Sequence, residues 1–330
     1  MAMGSAVLLL TALLIDRMLG EPRPALHPVV WMGKYLQLCG RISTRCRPAL
    51  AFLFGACLWW MGVALVFFLT WGLQALALRS LLRFPSMMHS PDVFAIVSLL
   101  LLFVVCAWLL KTTFSWRMLR DETLAVELAL QQSLEAGRER LSMLVSRDTS
   151  QLSESEVRES AIESLAENLN DSVVAPIFWF LLFGLPGAAI YRFANTADAM
   201  WGYRGFRHGV QWEWAGKWAA RADDALSWVP ARITAILLLV ATRDLSSFTR
   251  LRAEARKTPS PNSGWPMSAL ALTLDICLRK HGVYALNASG HLPEAADVDR
   301  AAALASRVIV IIVWSALLLA FFMASLAFIQ

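Results

Sequence analysis

The chain has 330 residues, of which 57% are hydrophobic and 17% charged, and its formal net charge is +5. With a mean hydropathy of +0.53, this composition excludes an ordinary soluble globular protein and predicts a polytopic membrane protein. The basic excess lies in loops beside apolar runs, which is typical of membrane topology and contact with anionic lipid. No motif that reads nucleic-acid bases accompanies it, so a nucleic-acid partner is not expected.

Four apolar runs predict membrane helices, because each approaches the roughly 20 residues that a bilayer crossing needs. They are residues 3–19, 49–72, 92–110 and 306–329. The first run is followed by no small-residue cleavage site, so we interpret it as a membrane helix rather than a signal peptide. The predicted fold class is therefore all-α, a polytopic integral membrane protein with cytoplasmic helical segments between its spans.

Two further apolar runs, 173–193 and 226–242, contain helix breakers. These are Pro176, Gly184, Pro186 and Gly187 in the first run, and Pro230 together with Arg232 in the second. Irregular backbone at membrane depth is tolerated only where protein or a cavity shields it. We therefore expect both runs to be broken or re-entrant and to line a site. Arg232 on its own equally fits a short helix whose guanidinium reaches the interface.

These runs divide the chain into five predicted segments. They are 1–110 with the N-terminal membrane helices and a cytoplasmic loop at 20–48, a cytoplasmic helical insert at 111–172, the broken membrane helices of 173–242 around a polar loop at 194–225, a cytoplasmic segment at 243–305, and a C-terminal membrane helix at 306–330. The basic loop 20–48 is placed in the cytoplasm by the positive-inside rule. The side of loop 194–225 depends on whether 173–193 spans or re-enters, and the sequence leaves both open.

Segment 243–305 contains a run rich in Pro, Asn and Gly, from Thr258 to Pro266, which predicts a rigid turn. Beyond it we expect a helix over 269–278 and then a loop over 281–291. No pattern in this segment predicts a β-sheet.

The stretch from Glu159 to Ser172 places acids and amides at the start of an apolar run. At about 100° per residue, one arc of a helix collects six polar side chains: Ser160, Glu163, Ser164, Glu167, Asn168 and Asp171. A solvated face of an amphipathic helix is the ordinary interpretation of such a pattern. Here the following residues are membrane-like, and charges at such a junction favour a functional interpretation.

Two loops carry further polar motifs. Prolines are expected to hold the first loop, Gly20 to Lys34, extended. It would present Asp16, Glu21, Arg23, His27 and Lys34 at the membrane surface for contact with an anion or a metal phosphate. A basic loop that only sets the membrane topology is the preferred interpretation of this loop taken alone. The loop from Asn195 to Gly209 carries Asp198, Arg204 and Arg207, and the pair Asp223–Asp224 follows. The Asp198 carboxylate can bind magnesium or act as a base, and the forked N–H donors of the two arginines can bind phosphate.

Several standard sites are excluded. No P-loop, nucleophile elbow, H-E-x-x-H helix or dinucleotide fingerprint occurs. The five cysteines form no C-x-x-C pair and the five histidines are scattered, which argues against structural zinc, iron–sulfur clusters and a disulfide framework.

Taken in order, these motifs resemble one family. They are the loop Gly20 to Lys34, the acidic stretch Glu163 to Asp171 running into Val173-Val174-Ala175-Pro176, Gly184-Leu185-Pro186-Gly187, the run from Asn195 to Arg204, Asp223-Asp224, Pro230-Ala231-Arg232-Ile233-Thr234, and Ser260-Pro261-Asn262-Ser263-Gly264-x-Pro266. The ordered set is similar to the adenosylcobinamide-phosphate synthase family, CbiB/CobD, over nearly the whole chain. Departures from the family pattern stand at Ser172, Ser227 and Leu274 to Ile276.

The resemblance implies a ligase of the bacterial inner membrane, with its active site on the cytoplasmic side. It would join the carboxylate of adenosylcobyric acid to (R)-1-amino-2-propanol O-phosphate or a similar amino-alcohol phosphate, using ATP and Mg²⁺. Its partners would be those two substrates, the lipid bilayer and other late enzymes of cobalamin biosynthesis.

Residue roles follow from that chemistry as expectations. Glu167, Asp171 and Asp198 would bind metal, and either Glu163 or Asp224 would act as general base. Phosphate would be neutralised by Arg204, Arg207, Lys34 and Arg232. The remaining expected substrate contacts are His27, Asn168, Asn195, Thr196, Tyr203, Asn262 and Ser263. A set of aromatic side chains would shelter the corrin ring, although interfacial tryptophan is the commoner explanation: Trp201, Tyr203, Trp212 and Trp214.

Two other functions compete with the ligase. A membrane sensor or scaffold of the same superfamily would not need Glu167, Asp198 and Arg204 together. A corrinoid transporter would place its substrate at broken helices near the midplane of the bilayer, and it would move corrinoid without changing its mass.

Overall fold

The computed structural model describes residues 2–87, 93–207, 209–243 and 247–329. Helices make up most of these residues, and the fold class predicted from the sequence is confirmed. The helices are α1 (Ala2–Leu19), α2 (Pro28–Ser43), α3 (Pro48–Met87), α4 (Val93–Lys111), α5 (Trp116–Leu130), α6 (Leu134–Ser142), α7 (Glu154–Leu169), α8 (Ala175–Trp201), α9 (Lys217–Thr242), α10 (Phe248–Ala255), α11 (Gly264–Leu274) and α12 (Ala295–Ile329). A 3₁₀ turn at Pro24–Leu26 and a π-helical turn at Asn170–Val174 complete the helical elements.

Five helical stretches in the described parts are long and apolar enough to cross a membrane, as expected for a multi-pass membrane protein. They are Pro48–Leu82, Val93–Leu130, Glu154–Trp201, Lys217–Thr242 and Ala295–Phe322. Three of them contain the predicted spans 49–72, 92–110 and 306–329, apart from residue 92 and the end of the last run. Residue 92 lies outside the described residues. Residues 3–19 form a helix, α1, and its place in the membrane stays a prediction.

The chain folds into two compact units that interleave along the sequence. Unit 1 comprises Met1–Ser115, Ala175–Leu226 and Leu319–Gln330, and unit 2 comprises Trp116–Val174 and Ser227–Leu318. The five segments predicted from hydropathy cross these boundaries, because hydropathy marks where lipid contact starts, whereas a compact unit is defined by its internal contacts.

The core of unit 1 gathers side chains of α2, α3, α8 and α9, including Leu36, Trp59, Phe193 and Trp201. Trp201 is fully buried, and its indole nitrogen donates to the Leu36 carbonyl at 3.1 Å. This corrects the expectation that Trp201 shelters a bound ring, because a side chain with no exposed surface has no face to offer a ligand.

The core of unit 2 joins α5, α6 and α7 through Val126, Leu141, Val157 and Ala161. Ser153 and Glu156 form a capping box at the start of α7, in which each side chain satisfies the other residue's backbone N–H. This cap fixes where the polar stretch of α7 begins.

Helix α8 is broken at Gly184, as the sequence predicts for run 173–193. Gly184 has φ 68° and ψ −155°, a conformation almost restricted to glycine. The next backbone N–H, that of Leu185, is satisfied by the side-chain oxygen of Gln74 on α3 at 2.7 Å. The break therefore leaves this N–H paired inside the protein, as a membrane requires.

The expectation that 226–242 is also broken is wrong, because α9 continues through Pro230. A proline inside a helix removes the hydrogen bond to the carbonyl four residues earlier, which here belongs to Leu226. That carbonyl accepts instead from the indole nitrogen of Trp179, at 3.1 Å. A replacement donor removes the main penalty that would otherwise break the helix.

The chain forms two small hairpins, of which the second corrects the expectation of a loop without strands over 281–291. The first pairs β1 (Phe206–Arg207) with β2 (Val210–Gln211), and the second pairs β3 (Leu278–Lys280) with β4 (Tyr284–Leu286), both antiparallel. The second hairpin turns at Gly282, which has φ 68°. The expected helix over 269–278 is likewise shifted, because α11 runs from Gly264 and ends at Asp275 in a left-handed conformation.

Candidate active site

Unit 2 contains a cavity of about 380 Å³ whose walls are largely polar. Its polar lining residues come from the segment before α7, from α7 itself, from the turn before α11 and from the β3–β4 hairpin: Ser146, Arg147, Ser160, Glu163, Ser164, Glu167, Asn168, Thr258, Ser260, Ser263, Lys280 and Tyr284. The cavity therefore combines carboxylates, cations and hydroxyls.

One wall of the cavity is the polar face of α7. Five of the six side chains that helical periodicity places on one arc line it, namely Ser160, Glu163, Ser164, Glu167 and Asn168. Ser160, Glu163 and Ser164 are buried, whereas Glu167 remains exposed at the cavity. The face is therefore not an ordinary solvated face, because burying a carboxylate is costly unless it has partners.

Asp171, the sixth side chain, does not line this cavity. It follows Asn170 into the π-helical turn, where hydrogen bonds span five residues instead of four and the angular spacing of side chains changes. The Asn170 side-chain amide donates to Asp171 at 2.7 Å and its oxygen accepts from Thr234 at 3.1 Å. In this arrangement Asp171 belongs to a contact with its neighbour on the same turn.

Glu163 lies at the centre of the cavity's charges. One of its carboxylate oxygens accepts from the Tyr284 hydroxyl at 2.8 Å, and the other is 3.2 Å from an Arg147 nitrogen. Arg147 also contacts the hydroxyl of Ser160. Burial, and next the negative charge of Glu163, raise the pKa of Tyr284 far above its usual range, so this phenol stays protonated and donates a hydrogen bond to Glu163.

Another part of the wall is the turn that the sequence marks by Pro, Asn and Gly. The hydroxyl of Ser260 accepts from the backbone N–H groups of Asn262 and Ser263, both at 3.2 Å, and α11 starts directly afterwards. Ser263 lines the cavity, whereas the side chain of Asn262 is buried and accepts from Arg232 at 3.1 Å.

Arg232 is held by this same turn. Besides Asn262, its guanidinium contacts the carbonyl oxygens of Trp228 and Pro261 at 2.6 and 3.3 Å, and it stacks on the rings of Trp228 and Trp265. Several donors of this side chain are thus engaged by the protein. Its expected contact with phosphate stays a prediction.

The motif residues 195–209 lie in unit 1. The first seven of them belong to α8, which continues to Trp201 instead of ending before a loop at 194. Asn195 donates to Asp223 at 3.4 Å, and the guanidinium of Arg207 stacks on the ring of Tyr203 at 3.6 Å. Arg204 is exposed and interacts electrostatically with Asp224. The hydroxyl of Thr196 donates to the Arg192 carbonyl, and Asp198 is half-buried on α8. His208 of this motif lies outside the described residues.

The expectation that prolines hold Gly20 to Lys34 extended is wrong, because Pro24–Leu26 form a 3₁₀ turn and Pro28 starts α2. The residues before α2 contribute to a buried charge network of unit 1. The Lys111 ammonium lies 3.2 Å from Asp16 and 2.6 Å from Glu21, and Glu21 in turn contacts the His27 ring at 3.0 Å. His27 also caps α2, because its other ring nitrogen accepts from the Val29 N–H. Lys34 is exposed on α2.

Lys111 directly follows an apolar run, a position typical of loop cations that set membrane topology. Only 1% of its side chain is exposed, so it is instead a buried cation. The two carboxylates compensate its burial.

A second described cavity, of about 370 Å³, lies in unit 1 and is apolar. Aromatic side chains of α3 and α8 line it, with Gln74 and the Trp179–Leu226 contact at its wall. It carries no carboxylate and no cationic side chain, so the unit 2 cavity is the better candidate for acid–base and phosphate chemistry.

Comparison with known proteins identifies the family. The family model "CobD/Cbib protein" matches residues 9–325, which includes most of both units. This chain belongs to the CobD/CbiB family. The "Probable cobalamin biosynthesis protein CobD" of Methanothermobacter thermautotrophicus is 39% identical over 290 residues, which cover 86% of this chain and 87% of that protein. The "Cobalamin biosynthesis protein CobD" of Chromobacterium violaceum is 36% identical over 329 residues, covering 96% and 97%. No solved structure matches the chain.

For this CobD/CbiB member, the predicted site residues divide between the two units. Glu163, Glu167, Asn168 and Ser263 share the unit 2 cavity. Nine other predicted site residues lie in unit 1: His27, Lys34, Asn195, Thr196, Asp198, Tyr203, Arg204, Arg207 and Asp224. The last three, Asp171, Arg232 and Asn262, lie in unit 2 but do not line its cavity. A single site that contains Glu167, Asp198 and Arg204 stays a prediction.

The predicted metal ligands divide in the same way. Among the described residues, no three His, Cys, Asp or Glu side chains are grouped so that they could hold an ion by themselves. Mg²⁺ commonly keeps several waters and uses one or two carboxylates together with substrate phosphates. Glu167 and the amide of Asn168, both on the cavity wall, provide hard oxygen donors of that kind.

Sequence analysis missed Arg147, Lys280 and Tyr284 of this CobD/CbiB cavity. Lys280 and Tyr284 lie in a hairpin far along the chain from α7, and Arg147 lies in the irregular segment just before that helix, so no helical periodicity connects these residues to Glu163. The available signal was weak: Lys280 and Tyr284 flank Gly282, a turn residue between two short runs that can pair as strands.

Proposed function

We propose that this chain is an adenosylcobinamide-phosphate synthase, an ATP-dependent ligase of cobalamin biosynthesis. It would form the amide between adenosylcobyric acid and (R)-1-amino-2-propanol O-phosphate or a similar amino-alcohol phosphate. Family membership over nearly the whole chain supports the pathway, together with the names of the curated relatives. The observation that carries the reaction type is the buried carboxylate Glu163 beside Arg147 in a polar cavity.

The reaction needs an activated carboxyl group, because a carboxylate is a poor electrophile. Transfer of the γ-phosphoryl group of ATP to the corrinoid carboxylate gives an acyl phosphate and ADP. The amine then attacks the acyl carbon, so that the C–N bond forms, the C–O bond to phosphate breaks and inorganic phosphate leaves. The nitrogen loses a proton to a base of the protein during this step.

The unit 2 cavity supports specific roles in this scheme. Glu163 is the base, because it is buried and its two oxygens are already oriented by Tyr284 and Arg147. Arg147 and Lys280 neutralise phosphate. Mg²⁺, when bound through Glu167 and Asn168, would neutralise charge on the nucleotide phosphates. The roles expected of Asp198, Arg204, Arg207 and Asp224, which lie in unit 1, stay predictions.

One assay tests the reaction. Purified protein is incubated with adenosylcobyric acid, aminopropanol phosphate and Mg-ATP, and the corrinoid mass is followed by mass spectrometry. A mass increase equal to the amino-alcohol phosphate minus water, with ADP and phosphate released, is the expected result. A corrinoid that crosses sealed vesicles at unchanged mass identifies a transporter, and a protein that binds corrinoid without ADP release or transport identifies a sensor.

The Glu163→Gln variant tests the base. We expect kcat to fall about 100-fold or more, in the range typical of losing a general base. Glu154→Gln is the matched control, because Glu154 lies on the same helix with 63% of its side chain exposed. Equal rates in the two variants would overturn the role of Glu163.

The proposed location is the bacterial inner membrane, with the active site facing the cytoplasm. Val210→Cys, at an exposed position between α8 and α9 and in a variant whose five native cysteines are replaced, reports the side of this segment. Labelling by a membrane-impermeant maleimide only in inverted vesicles is the expected result, and labelling only in spheroplasts contradicts it.

A further inference from the structure

The cavity of unit 2 carries both signs of charge within a very short distance. An oxygen of Glu163 lies 3.2 Å from a nitrogen of Arg147. The Lys280 ammonium also interacts electrostatically with Glu163. A ligand that satisfies all three groups must itself carry a positive and a negative group close together.

The β3–β4 hairpin is built to place a cation in this cavity. Lys280 and Tyr284 are directly paired across the two strands, so their side chains lie on the same face of the hairpin, and both line the cavity. Arg279, the preceding residue, points to the other face. Its guanidinium pairs with the buried Glu159 of α7 at 2.8 Å, and its backbone N–H donates to the same carboxylate at 2.6 Å.

The hairpin therefore has an anchoring face and a cavity face. Lys280 is exposed, and within the described parts of the chain its ammonium is ion-paired with no carboxylate. Arg147, which is 28% exposed, keeps part of its planar donor set accessible beside it. The two cations and the buried carboxylate that line this one cavity suit a phosphoryl group and an ammonium, respectively.

We propose that this cavity is the binding site of the amino-alcohol phosphate, held as a zwitterion. Lys280 and Arg147 bind its phosphoryl group, and Glu163 binds its ammonium group. This rests on the proposed function and adds where the second substrate binds and how it is selected. Because the opposing charges of the protein are adjacent, a ligand whose amine and phosphoryl group are separated by two carbons fits better than one with a long spacer. The same Glu163 is then in place to take one proton from the ammonium so that the neutral amine can attack, and the second N–H proton leaves with the departing phosphate.

Phosphate could also come from the nucleotide, so the test uses separate probes. Binding to the purified full chain in detergent is measured by calorimetry with O-phosphoethanolamine, which carries both groups, with ethyl phosphate, which lacks the amine, and with Mg-ATP. We expect O-phosphoethanolamine to bind at least about tenfold tighter than ethyl phosphate, as one charged hydrogen bond implies.

Two substitutions separate the two halves of the site. Lys280→Met should weaken both O-phosphoethanolamine and ethyl phosphate about tenfold or more. Glu163→Gln should weaken only O-phosphoethanolamine, down to the affinity of ethyl phosphate. Lys257→Met is the matched control in the same unit, because Lys257 pairs with Glu254 and does not line the cavity. Lys280 is exposed, so its substitution leaves the fold intact even where Glu163→Gln does not.

Three results would overturn the proposal. They are equal affinity for the two small phosphates, binding that neither substitution changes, or a loss of Mg-ATP affinity in Lys280→Met with the zwitterion unaffected, which would assign the cavity to the nucleotide. Product formation with an unchanged KM for aminopropanol phosphate in Lys280→Met overturns this site and leaves the ligase reaction standing. If the wild-type protein binds the zwitterion but forms no product, the binding site stands and the proposed ligase reaction is overturned.

Discussion

Gln74 and Leu185 are joined by a hydrogen bond that a broken membrane helix depends on. The Gln74 side-chain oxygen accepts the Leu185 backbone N–H at 2.7 Å, directly after the break at Gly184. Because α3 and α8 lie in stretches apolar enough to cross a membrane, water is a poor substitute for this acceptor.

Replacing Gln74 with Met should therefore destabilise the protein. The substitution keeps the volume but leaves the Leu185 N–H unpaired, at a cost of about 1–3 kcal/mol. The measurement is the midpoint of thermal unfolding in detergent. Leu76→Met, at a position with 52% exposure on the same helix, is the control, and a midpoint as high in Gln74→Met as in the control would contradict the role of Gln74.

Gly184→Ala should be more damaging than the same change at another glycine of the spans. A Cβ at Gly184 would lie 2.3 Å from the Gln74 side-chain oxygen, and φ is 68°. Gly72, on α3, has open space where its Cβ would lie, and replacing a helical glycine by alanine stabilises by about 1 kcal/mol. Unfolding midpoints should move in opposite directions in the two variants. If both midpoints moved in the same direction, the backbone at Gly184 would tolerate a Cβ, contrary to this prediction.

The sequence predicts some of these features well and others poorly, for physical reasons. Apolar length and helical periodicity are local, so they identify the spans, the break near Gly184 and the shared face of Glu163 and Glu167. Continuation of α9 through Pro230 depends on Trp179, 51 positions away in the sequence, whose indole replaces the missing donor. Local pattern contains no information about such a partner.

The candidate site shows the same limit. The helical angle of about 100° per residue places Asp171 beside Glu167, but the π-helical turn at Asn170–Val174 changes the spacing and takes Asp171 off the cavity wall. Lys280 and Tyr284 reach Glu163 only because a hairpin docks on α7. Helical periodicity therefore located two of the three acids, Glu163 and Glu167, on the cavity wall, but it gave no indication of Lys280 and Tyr284.

The buried network around Lys111 should be far more important for stability than an exposed ion pair. Lys111→Met leaves Asp16 and Glu21 without their cation, and breaking a buried pair in this way costs about 3–5 kcal/mol. Arg117→Met removes a cation whose pair with Asp121 has about half of both side chains exposed, and such pairs contribute about 0–1 kcal/mol. Chemical unfolding in detergent compares the two. Equal losses would show that Lys111 is hydrated in the folded protein.

Acid should weaken unit 1 through Glu21. Burial alone would raise the pKa of Glu21, but the hydrogen bonds from His27 and Lys111 and their positive charges outweigh burial and lower it. A carboxyl whose pKa is lower in the folded state stabilises the fold above its unfolded value, about 4.3, and that contribution is lost as the pH falls through the lower folded value.

The comparison of wild type with Glu21→Gln isolates this contribution. The variant should have the lower unfolding midpoint at neutral pH, and the difference between the two proteins should shrink as the pH falls below about 4.3. Glu139→Gln, which removes an exposed carboxylate, controls for the general effect of acid. A difference between wild type and Glu21→Gln that is constant with pH would contradict the lowered pKa.

Glu159 should keep the β3–β4 hairpin ordered and thereby hold Lys280 in position at the cavity. Its side chain is fully buried and accepts from both the guanidinium and the backbone N–H of Arg279. Glu159→Gln keeps the shape but removes the charge that orients Arg279. Hydrogen–deuterium exchange of residues 278–286 should become faster, and the KM for aminopropanol phosphate should rise, because Lys280 is carried by the same strand.

His281→Ala removes the exposed pair with Glu156 at the hairpin tip and serves as the control. Faster exchange without a change in KM would separate the hairpin from substrate binding, whereas a change in KM without faster exchange would place Glu159 itself at the substrate.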